Sequence, residues 1–259
     1  MHEPNGRSRR DRAGGYLLKS RKARAPRREG GFPTEMAVRL SKTFVLRKLF
    51  QLSGIVPLGA FLLEHFYTNS KAIEGAAAYN EAVADLQKIP YVFLIEVFGI
   101  FVPLTFHAVY GLFIAWEARP NNLAYKYARN WFYTVQRATG VFLFFFILFH
   151  VLNFRFGLIP GLNTESVAHY PEKAFDIVAR EFSMPSIFAL YVVGIFSTVW
   201  HLANGLWLFL VDWGVVIGAT AQRVAGYACI AIGLALFFVG LNSAVAFVRP
   251  GGLLGGVLY

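Results

Sequence analysis

Four histidines, His65, His107, His150 and His201, each lie inside or at the end of a separate long apolar segment. An ionisable side chain is costly in such a segment, so its presence indicates a specific partner or function. Imidazole is a common ligand of transition metals, and two imidazoles on one haem iron leave no open position for oxygen chemistry. The pattern therefore indicates buried haem iron that carries electrons.

The segments around these histidines are long enough to cross a membrane. The chain has 259 residues, of which 56% are hydrophobic, and a hydrocarbon layer of about 30 Å requires about 20 apolar residues per helical span. The sequence predicts an all-α fold, an integral membrane five-helix bundle. The five predicted spans are Leu49–Tyr67, Tyr91–Trp116, Asn130–Phe154, Pro185–Val211 and Val224–Val248.

The net charge of +10 is concentrated at the N-terminus. Residues 1–48 contain 14 of the 25 Lys and Arg residues and 4 of the 15 acidic ones, so the rest of the chain is neutral overall. Such a tail could contact anionic lipid headgroups or partner subunits, and the simpler interpretation is a solvated leader, with no nucleic-acid partner expected. We expect a basic, disordered tail over residues 1–43 and a transmembrane di-haem domain over residues 44–259.

The distribution of basic residues predicts the topology. The tail precedes the first span, and the connection after the second span contains Arg119, Lys126 and Arg129. Because cytoplasmic loops are enriched in Lys and Arg, both should face the cytoplasm. The N-terminus is then cytoplasmic and the C-terminus outside, with 72–87 as a short surface helix and 157–180 as an outer loop.

The position of each histidine along its span predicts its depth. His65 and His150 come about 17 and 20 residues into outward-running spans, whereas His107 and His201 come about 16 residues into inward-running ones. A rise of 1.5 Å per residue then separates an outer pair, His65 and His150, from an inner pair, His107 and His201, by about 15 Å. Two stacked haems fit this separation.

Small and polar residues near the predicted haems are candidate cofactor contacts. Gly111 and Gly205 each follow an inner histidine by four residues and share its helix face. Gly54 lies three turns inward of His65, and Gly140 lies about 80° from the line of His150. The candidates for the inner haem propionates are Gln51, Gln136 and Arg137, with Arg47 and Lys48 nearby.

Two charged residues are candidates for quinone or proton chemistry at the outer level. Glu96 lies 11 residues before His107 on the same face of its span, three turns outward. A buried carboxylate near a redox centre can exchange protons with a quinone. Arg155, five residues after His150, is a candidate at the same level.

Several ordered motifs resemble one known family. They are Arg47-Lys48-Leu49 with Gly54, Pro57, Gly59 and His65, then 107–111 (HAVYG), 129–131 (RNW), 136–140 (QRATG) and 201–207 (HLANGLW). Together they are similar to the single-chain, di-haem cytochrome b anchors of bacterial succinate dehydrogenases and related fumarate reductases. The similarity covers roughly residues 44–248, and the basic tail departs from the family pattern.

The resemblance implies a specific role in the bacterial cytoplasmic membrane. Such anchors bind two haems b and a quinone, usually menaquinone, and dock a flavoprotein subunit and an iron-sulfur subunit on the cytoplasmic side. His107 and His201 match the ligands of the family's proximal haem, and His65 and His150 those of its distal haem. FAD and iron-sulfur clusters would belong to the partner subunits, because Cys229 is the single cysteine of this chain.

Two alternatives remain open from the sequence. Another five-helix di-haem anchor, of the nitrate reductase or formate dehydrogenase type, would share the haems but have different partners. A haem-free transporter or scaffold would use the histidines for packing.

Overall fold

The computed structural model describes residues 34–255, with side chains from residue 42 onward, and its described part is almost entirely helical. The α-helices are α1 (Thr34–Ile55), α2 (Pro57–Ser70), α3 (Ala76–Gln87), α4 (Val92–Ile95), α5 (Val102–Glu117), α6 (Ala128–His150), α7 (Ala174–Phe182), α8 (Pro185–Asp212) and α9 (Ala219–Ala246). Within residues 34–255 there is no β-strand, and one isolated bridge joins Ile159 to Asn163.

Within residues 34–255, five helical stretches are long and apolar enough to cross a membrane, which confirms the predicted number of spans. They are the first span (Lys42–Glu74), the second (Val92–Glu117), the third (Ala128–Arg155), the fourth (Pro185–Asp212) and the fifth (Ala219–Ala246). Each exposes large apolar side chains, including Leu63, Phe113, Phe145, Phe196 and Leu234. An apolar exterior on every span is what a lipid environment favours.

The fourth span packs against both the third and the fifth. Close approach depends on small residues: a Cβ on Gly233 would lie 3.1 Å from the Ala203 Cβ, and one on Gly240 would lie 2.9 Å from Ile195 Cγ2. Without a water-driven force between helices in lipid, such close backbone contact is a main source of packing energy. The fourth span, which contains His201, is therefore held between the third and the fifth.

Three of the spans contain irregular turns. The first is divided at Val56, because Pro57 has no N–H for the helix ladder and instead begins α2. In the second, a π-helix at Glu96–Phe101 separates α4 from α5, and the third ends in a π-helix at Val151–Arg155. Such turns often occur at functional positions.

The predicted N-terminal tail, residues 1–43, lies mostly outside the described residues. Helix α1 already begins at Thr34, nine residues before the end of that tail. Residues 34–53 contain no Pro or Gly, so nothing in the local sequence stops the helix from extending back from the membrane.

Two connections differ from their predicted form. The 72–87 surface helix is a 3-10 turn, Lys71–Glu74, followed by α3, and its Tyr79 and Val83 side chains are buried. The predicted 157–180 loop contains a second 3-10 turn, Pro171–Lys173, and leads into α7, whose Ile177 and Phe182 are buried. Both helices have an apolar face that packs inward.

These two helices form a cap on one end of the bundle. Their buried apolar residues join Phe154, Tyr191 and Phe247 in one cluster, which we call the cap cluster. The cluster also contacts the His150 ring, because Phe154 and Tyr191 lie 5.7 and 5.8 Å from it between ring centroids.

Candidate functional site

The structure brings the four histidines together as two pairs. The ring centroids of His65 and His150 are 5.6 Å apart, and those of His107 and His201 are 6.4 Å apart. Metal–imidazole bonds of about 2 Å, with each ring centre about 1 Å further, place two axial imidazoles on one metal about 6 Å apart. Both pairs therefore have a separation that suits one metal ion between two rings.

Three of the four rings are hydrogen bonded through Nδ1. His107 Nδ1 lies 3.0 Å from the Phe50 carbonyl oxygen, which can only accept, so this nitrogen is the donor. His201 Nδ1 lies 3.2 Å from the Thr139 hydroxyl, which itself donates to the Val135 carbonyl at 2.8 Å. A ring that donates from Nδ1 presents an unprotonated Nε2, the form that metal-ligating histidines take.

The His65–His150 pair is held differently. His150 Nδ1 lies 3.2 Å from the Tyr191 hydroxyl. His65 instead has the Asn69 amide nitrogen 3.4 Å from its Nε2, and the same amide donates to the His65 carbonyl at 2.8 Å. His65 thus departs from the Nδ1 pattern of the other three.

Two of the predicted glycines lie directly against histidine rings. A Cβ on Gly54 would be 2.6 Å from His107 Cε1, and one on Gly140 would be 3.1 Å from His201 Cε1. Any side chain at either position would occupy space that the rings now fill. Gly140 lies about 80° from the line of His150, yet it faces the His201 ring because the third span packs against the fourth.

The other two predicted glycines contact neighbouring side chains instead of a histidine. The nearest atom to a Cβ on Gly111 is Phe50 Cε2 at 3.3 Å, and on Gly205 it is Gln136 Nε2 at 3.5 Å. Phe50 itself stacks on the His107 ring, with centroids 4.4 Å apart. These glycines therefore border residues that pack on or bind to the histidines.

The predicted propionate partners form protein contacts. Gln136 donates to the His201 carbonyl at 3.1 Å, and Gln51 donates to Asp212 Oδ2 at 2.6 Å. The Arg137 guanidinium lies over the Tyr133 ring, 3.2 Å from its centroid. Among the described residues, Arg137 Nε is buried without a hydrogen-bond acceptor, so this cation retains a free donor beside the His107–His201 pair.

Glu96 and Arg155, predicted separately, form one ion pair between the second and third spans. Arg155 Nη2 and Nε donate to the two Glu96 carboxylate oxygens at 2.7 and 3.1 Å. Their side chains are 26% and 15% exposed, so the pair is largely withdrawn from solvent. Both residues lie in π-helical turns, and bidentate geometry makes this one of the stronger kinds of ion pair.

Sequence reasoning missed the residues that support the histidines. Thr139 and Tyr191 bind the Nδ1 atoms of His201 and His150, and Glu181 is fully buried beside Asn153. The apolar spacing of Ala174, Ile177, Val178 and Phe182 could have predicted α7 and placed Glu181 on its buried face. Thr139 and Tyr191 carry no comparable signal, since hydroxyl residues are common in packed membrane helices.

Together, the fold and the paired rings define a multi-pass helical membrane protein with two pairs of neighbouring histidine rings. Residues 117–240 match the family model described as succinate dehydrogenase/fumarate reductase transmembrane subunit. The chain is also 38% identical over 208 residues, 80% of its length, to the succinate dehydrogenase cytochrome b558 subunit of Bacillus subtilis (strain 168), of which 98% is covered.

The chain belongs to the succinate dehydrogenase/fumarate reductase transmembrane subunit family. This confirms the resemblance seen in the sequence motifs and gives no support to an anchor of the nitrate reductase or formate dehydrogenase type.

Proposed function

We propose that this chain is the membrane-anchor cytochrome b of a succinate:quinone oxidoreductase and passes electrons between an iron-sulfur subunit and menaquinone. Two bis-histidine haems b would provide the path, one at the inner pair and one at the outer pair. The observation that carries this proposal is the spacing of the two ring pairs, 5.6 and 6.4 Å, on four different spans.

Residues of this chain would hold each haem. His107 and His201 would ligate the inner iron, with the Phe50 carbonyl and Thr139 hydroxyl fixing their tautomers. His65 and His150 would ligate the outer iron, with Tyr191 bound to His150. A haem b, when bound, supplies one-electron transfer between ferric and ferrous iron. Two histidines on each iron would leave no position for oxygen chemistry and so would favour electron transfer.

Charge would place the inner haem near the cytoplasm. Lys48 Nζ donates to the Asp212 carbonyl oxygen at 2.7 Å. The Arg129 guanidinium lies over the Trp207 ring. These contacts gather cations at the span ends near His107 and His201. Under the positive-inside rule this end faces the cytoplasm, with the N-terminus, and the C-terminus lies outside.

The cytoplasmic end would bind the iron-sulfur and flavoprotein subunits. It exposes large apolar and aromatic side chains in its connections, including Leu123 at 92% and Ile217 at 80% exposed. An apolar patch with nearby cations fits a protein interface better than a headgroup region. Succinate chemistry, FAD and iron-sulfur clusters would then reside in the partners, and this chain would contribute no catalytic residue for succinate.

The outer end would contain the quinone site, with the Glu96–Arg155 pair as its polar element. Arg155 would donate to a quinone oxygen, and Glu96 would exchange a proton with the quinol hydroxyl. The bidentate pair, 2.7 and 3.1 Å, holds both side chains in fixed positions for this role.

Spectroscopy of the complex purified with its partners tests the haem assignment. We expect two b-type signals in a redox titration. His65→Ala or His150→Ala should remove only one of them, and His107→Ala or His201→Ala only the other. His169, exposed in the connection after the third span, provides the control, since His169→Ala should leave both signals intact.

Two results would overturn the proposal. The absence of a reducible b-type signal in the wild-type complex would favour the haem-free scaffold. Loss of the same haem from His65→Ala and His107→Ala would contradict the pairing.

A further inference from the structure

A buried carboxyl group lies under the cap cluster, close to the outer histidine pair. Glu181 of α7 is 0% exposed, and its Oε2 accepts a hydrogen bond from Asn153 Nδ2 at 2.5 Å. Asn153 is also fully buried and follows His150 by three residues on the third span. The carboxyl group is therefore joined to the same span that carries an outer histidine.

Two acceptor atoms at this contact have no hydrogen-bond donor in the described part of the chain. Among the described residues, Glu181 Oε1 and Asn153 Oδ1 are both buried without a hydrogen-bond partner. Two unpaired acceptors on neighbouring side chains would each carry a desolvation penalty of about 1–3 kcal/mol. A proton on Glu181 Oε1 that is donated to Asn153 Oδ1 would satisfy both atoms, as in a carboxylic acid–amide pair.

Tyr191 connects this acid–amide pair to His150. Its hydroxyl lies 3.2 Å from His150 Nδ1 and interacts with both Asn153 and Glu181. Its ring packs on Phe182 of the cap cluster, with centroids 4.8 Å apart. Tyr191 thus fills the space between the acid and the histidine.

The other titratable groups around Glu181 are few. Arg180, the next residue toward the N-terminus of α7, interacts with it electrostatically and also binds Asn163. Tyr79 of α3 joins the same cluster, whereas the α3 carboxylates Glu81 and Asp85 are exposed to solvent. Burial, the largest influence, raises the pKa of Glu181 above its usual range.

We propose that Glu181 is a neutral carboxylic acid in the resting protein and is the redox-linked proton site of the outer haem, coupled to it through Asn153 and Tyr191. The proposal rests on the bis-histidine haem assigned above to His65 and His150. When the acid loses its proton, the new negative charge favours ferric iron and lowers the outer haem potential. By linkage, reduction of that haem would raise the affinity of the Glu181 carboxylate for its proton.

The charges balance in each direction. At a pH where Glu181 is ionised, its carboxylate would take up as much as one proton from the outer aqueous phase for each electron that the complex's own electron-transfer chain delivers to the outer haem. It would release that proton when the electron leaves. This places a proton-binding group at the end of the bundle where a quinone would also take up protons.

The test is a potentiometric titration of both haems from neutral to alkaline pH in the purified complex. We expect the outer haem potential of the wild type to fall with pH, with a limiting slope of about 59 mV per tenfold change in proton concentration. Glu181→Gln should remove this slope and leave the inner haem unchanged. The variant should fold, because a glutamine amide can pair with Asn153 as the neutral acid does.

Asp176→Asn is the matched control. Asp176 lies on the same helix but is exposed, so its removal should leave the wild-type slope. An independent readout is the infrared C=O band of a protonated carboxyl group, which should be present at neutral pH and absent in Glu181→Gln.

A slope that persists in Glu181→Gln, or an infrared band that is the same in both proteins, would overturn this inference and leave the haem assignment standing. A wild-type complex without two haems would overturn the haem assignment and this inference with it.

Discussion

The contact between Gly54 and His107 provides a sharp test of the inner site through Gly54→Ala. The new Cβ would lie 2.6 Å from His107 Cε1 and 3.0 Å from Nδ1, whereas carbon atoms normally approach to about 3.5–4.0 Å. The ring must therefore move by about 1 Å. It cannot do so freely, because Phe50 stacks on it at 4.4 Å and accepts its Nδ1 hydrogen bond at 3.0 Å.

The expected magnitude follows from two opposing effects. Overpacking of this kind costs about 1–3 kcal/mol, and replacing a helical Gly by Ala returns about 0.5–1 kcal/mol. We expect the free energy of unfolding to fall by about 0–2.5 kcal/mol. The inner haem alone should be lost or change its potential. Gly140→Ala should have a smaller effect of the same kind, because its Cβ would lie 3.1 Å from His201 Cε1.

Gly226→Ala is the matched control for this experiment. Its Cβ would meet Trp207 Nε1 at 3.6 Å, an ordinary contact, on the fifth span, which carries no candidate ligand. It should preserve both haems and leave stability equal or up to about 1 kcal/mol higher. Thermal unfolding and a reduced-minus-oxidised spectrum of the solubilised complex measure both quantities. Full inner-haem occupancy with an unchanged potential in Gly54→Ala would refute the argument.

Three further predictions concern other contacts. Thr139→Val should shift only the inner haem potential, and Tyr191→Phe only the outer one, since each removes one Nδ1 partner; separate redox titrations check this. Glu96→Gln should keep both haems but lower quinone-linked turnover. It leaves the Arg155 charge unpaired, which should lower stability in thermal unfolding by about 1–3 kcal/mol, less than the loss expected when a fully buried ion pair is broken. Because burial raises the pKa of Glu181, the folded state binds more protons than the unfolded state between the ordinary Glu pKa and the raised one. As pH rises through that range, the wild type should lose stability relative to Glu181→Gln. Unfolding measured across that pH range would show no divergence if Glu181 were ionised throughout.

The spans were predictable because a membrane imposes a minimum apolar length on each helix. The second span, predicted as Tyr91–Trp116, is Val92–Glu117, and the fourth, predicted as Pro185–Val211, is Pro185–Asp212. The juxtaposition of the histidine rings followed from the same constraint, since depth in a helix is a fixed multiple of residue number. Their role as ligands stays a prediction until the haems are measured.

Contacts between distant side chains were not predictable in the same way. Glu96 and Arg155 are 59 residues apart, and depth alone placed them at one level without indicating that they bind each other. Helix α7 has only nine residues and lies in a charged connection, so its apolar face gave a weaker signal than the spans. The burial of Glu181 depends on that helix, and hence the acid–amide pair with Asn153 was not foreseen.

The two ends of the bundle differ in the charge they place around their histidines. Near the His107–His201 pair, Arg129 and Arg137 have no ion-pair partner within residues 42–255, and each lies over an aromatic ring. Near the His65–His150 pair, the Arg155 charge is neutralised by Glu96. Two further acids lie there: Glu64, next to His65, accepts a hydrogen bond from Thr68, and Glu181 is buried without a cation bonded to it. Uncompensated positive charge favours the reduced state of a nearby iron, so we infer that the inner site holds an electron more tightly than the outer one. Electron transfer toward the outer quinone would then run against this difference, and at a pH where Glu181 is ionised its uptake of a proton would offset part of it.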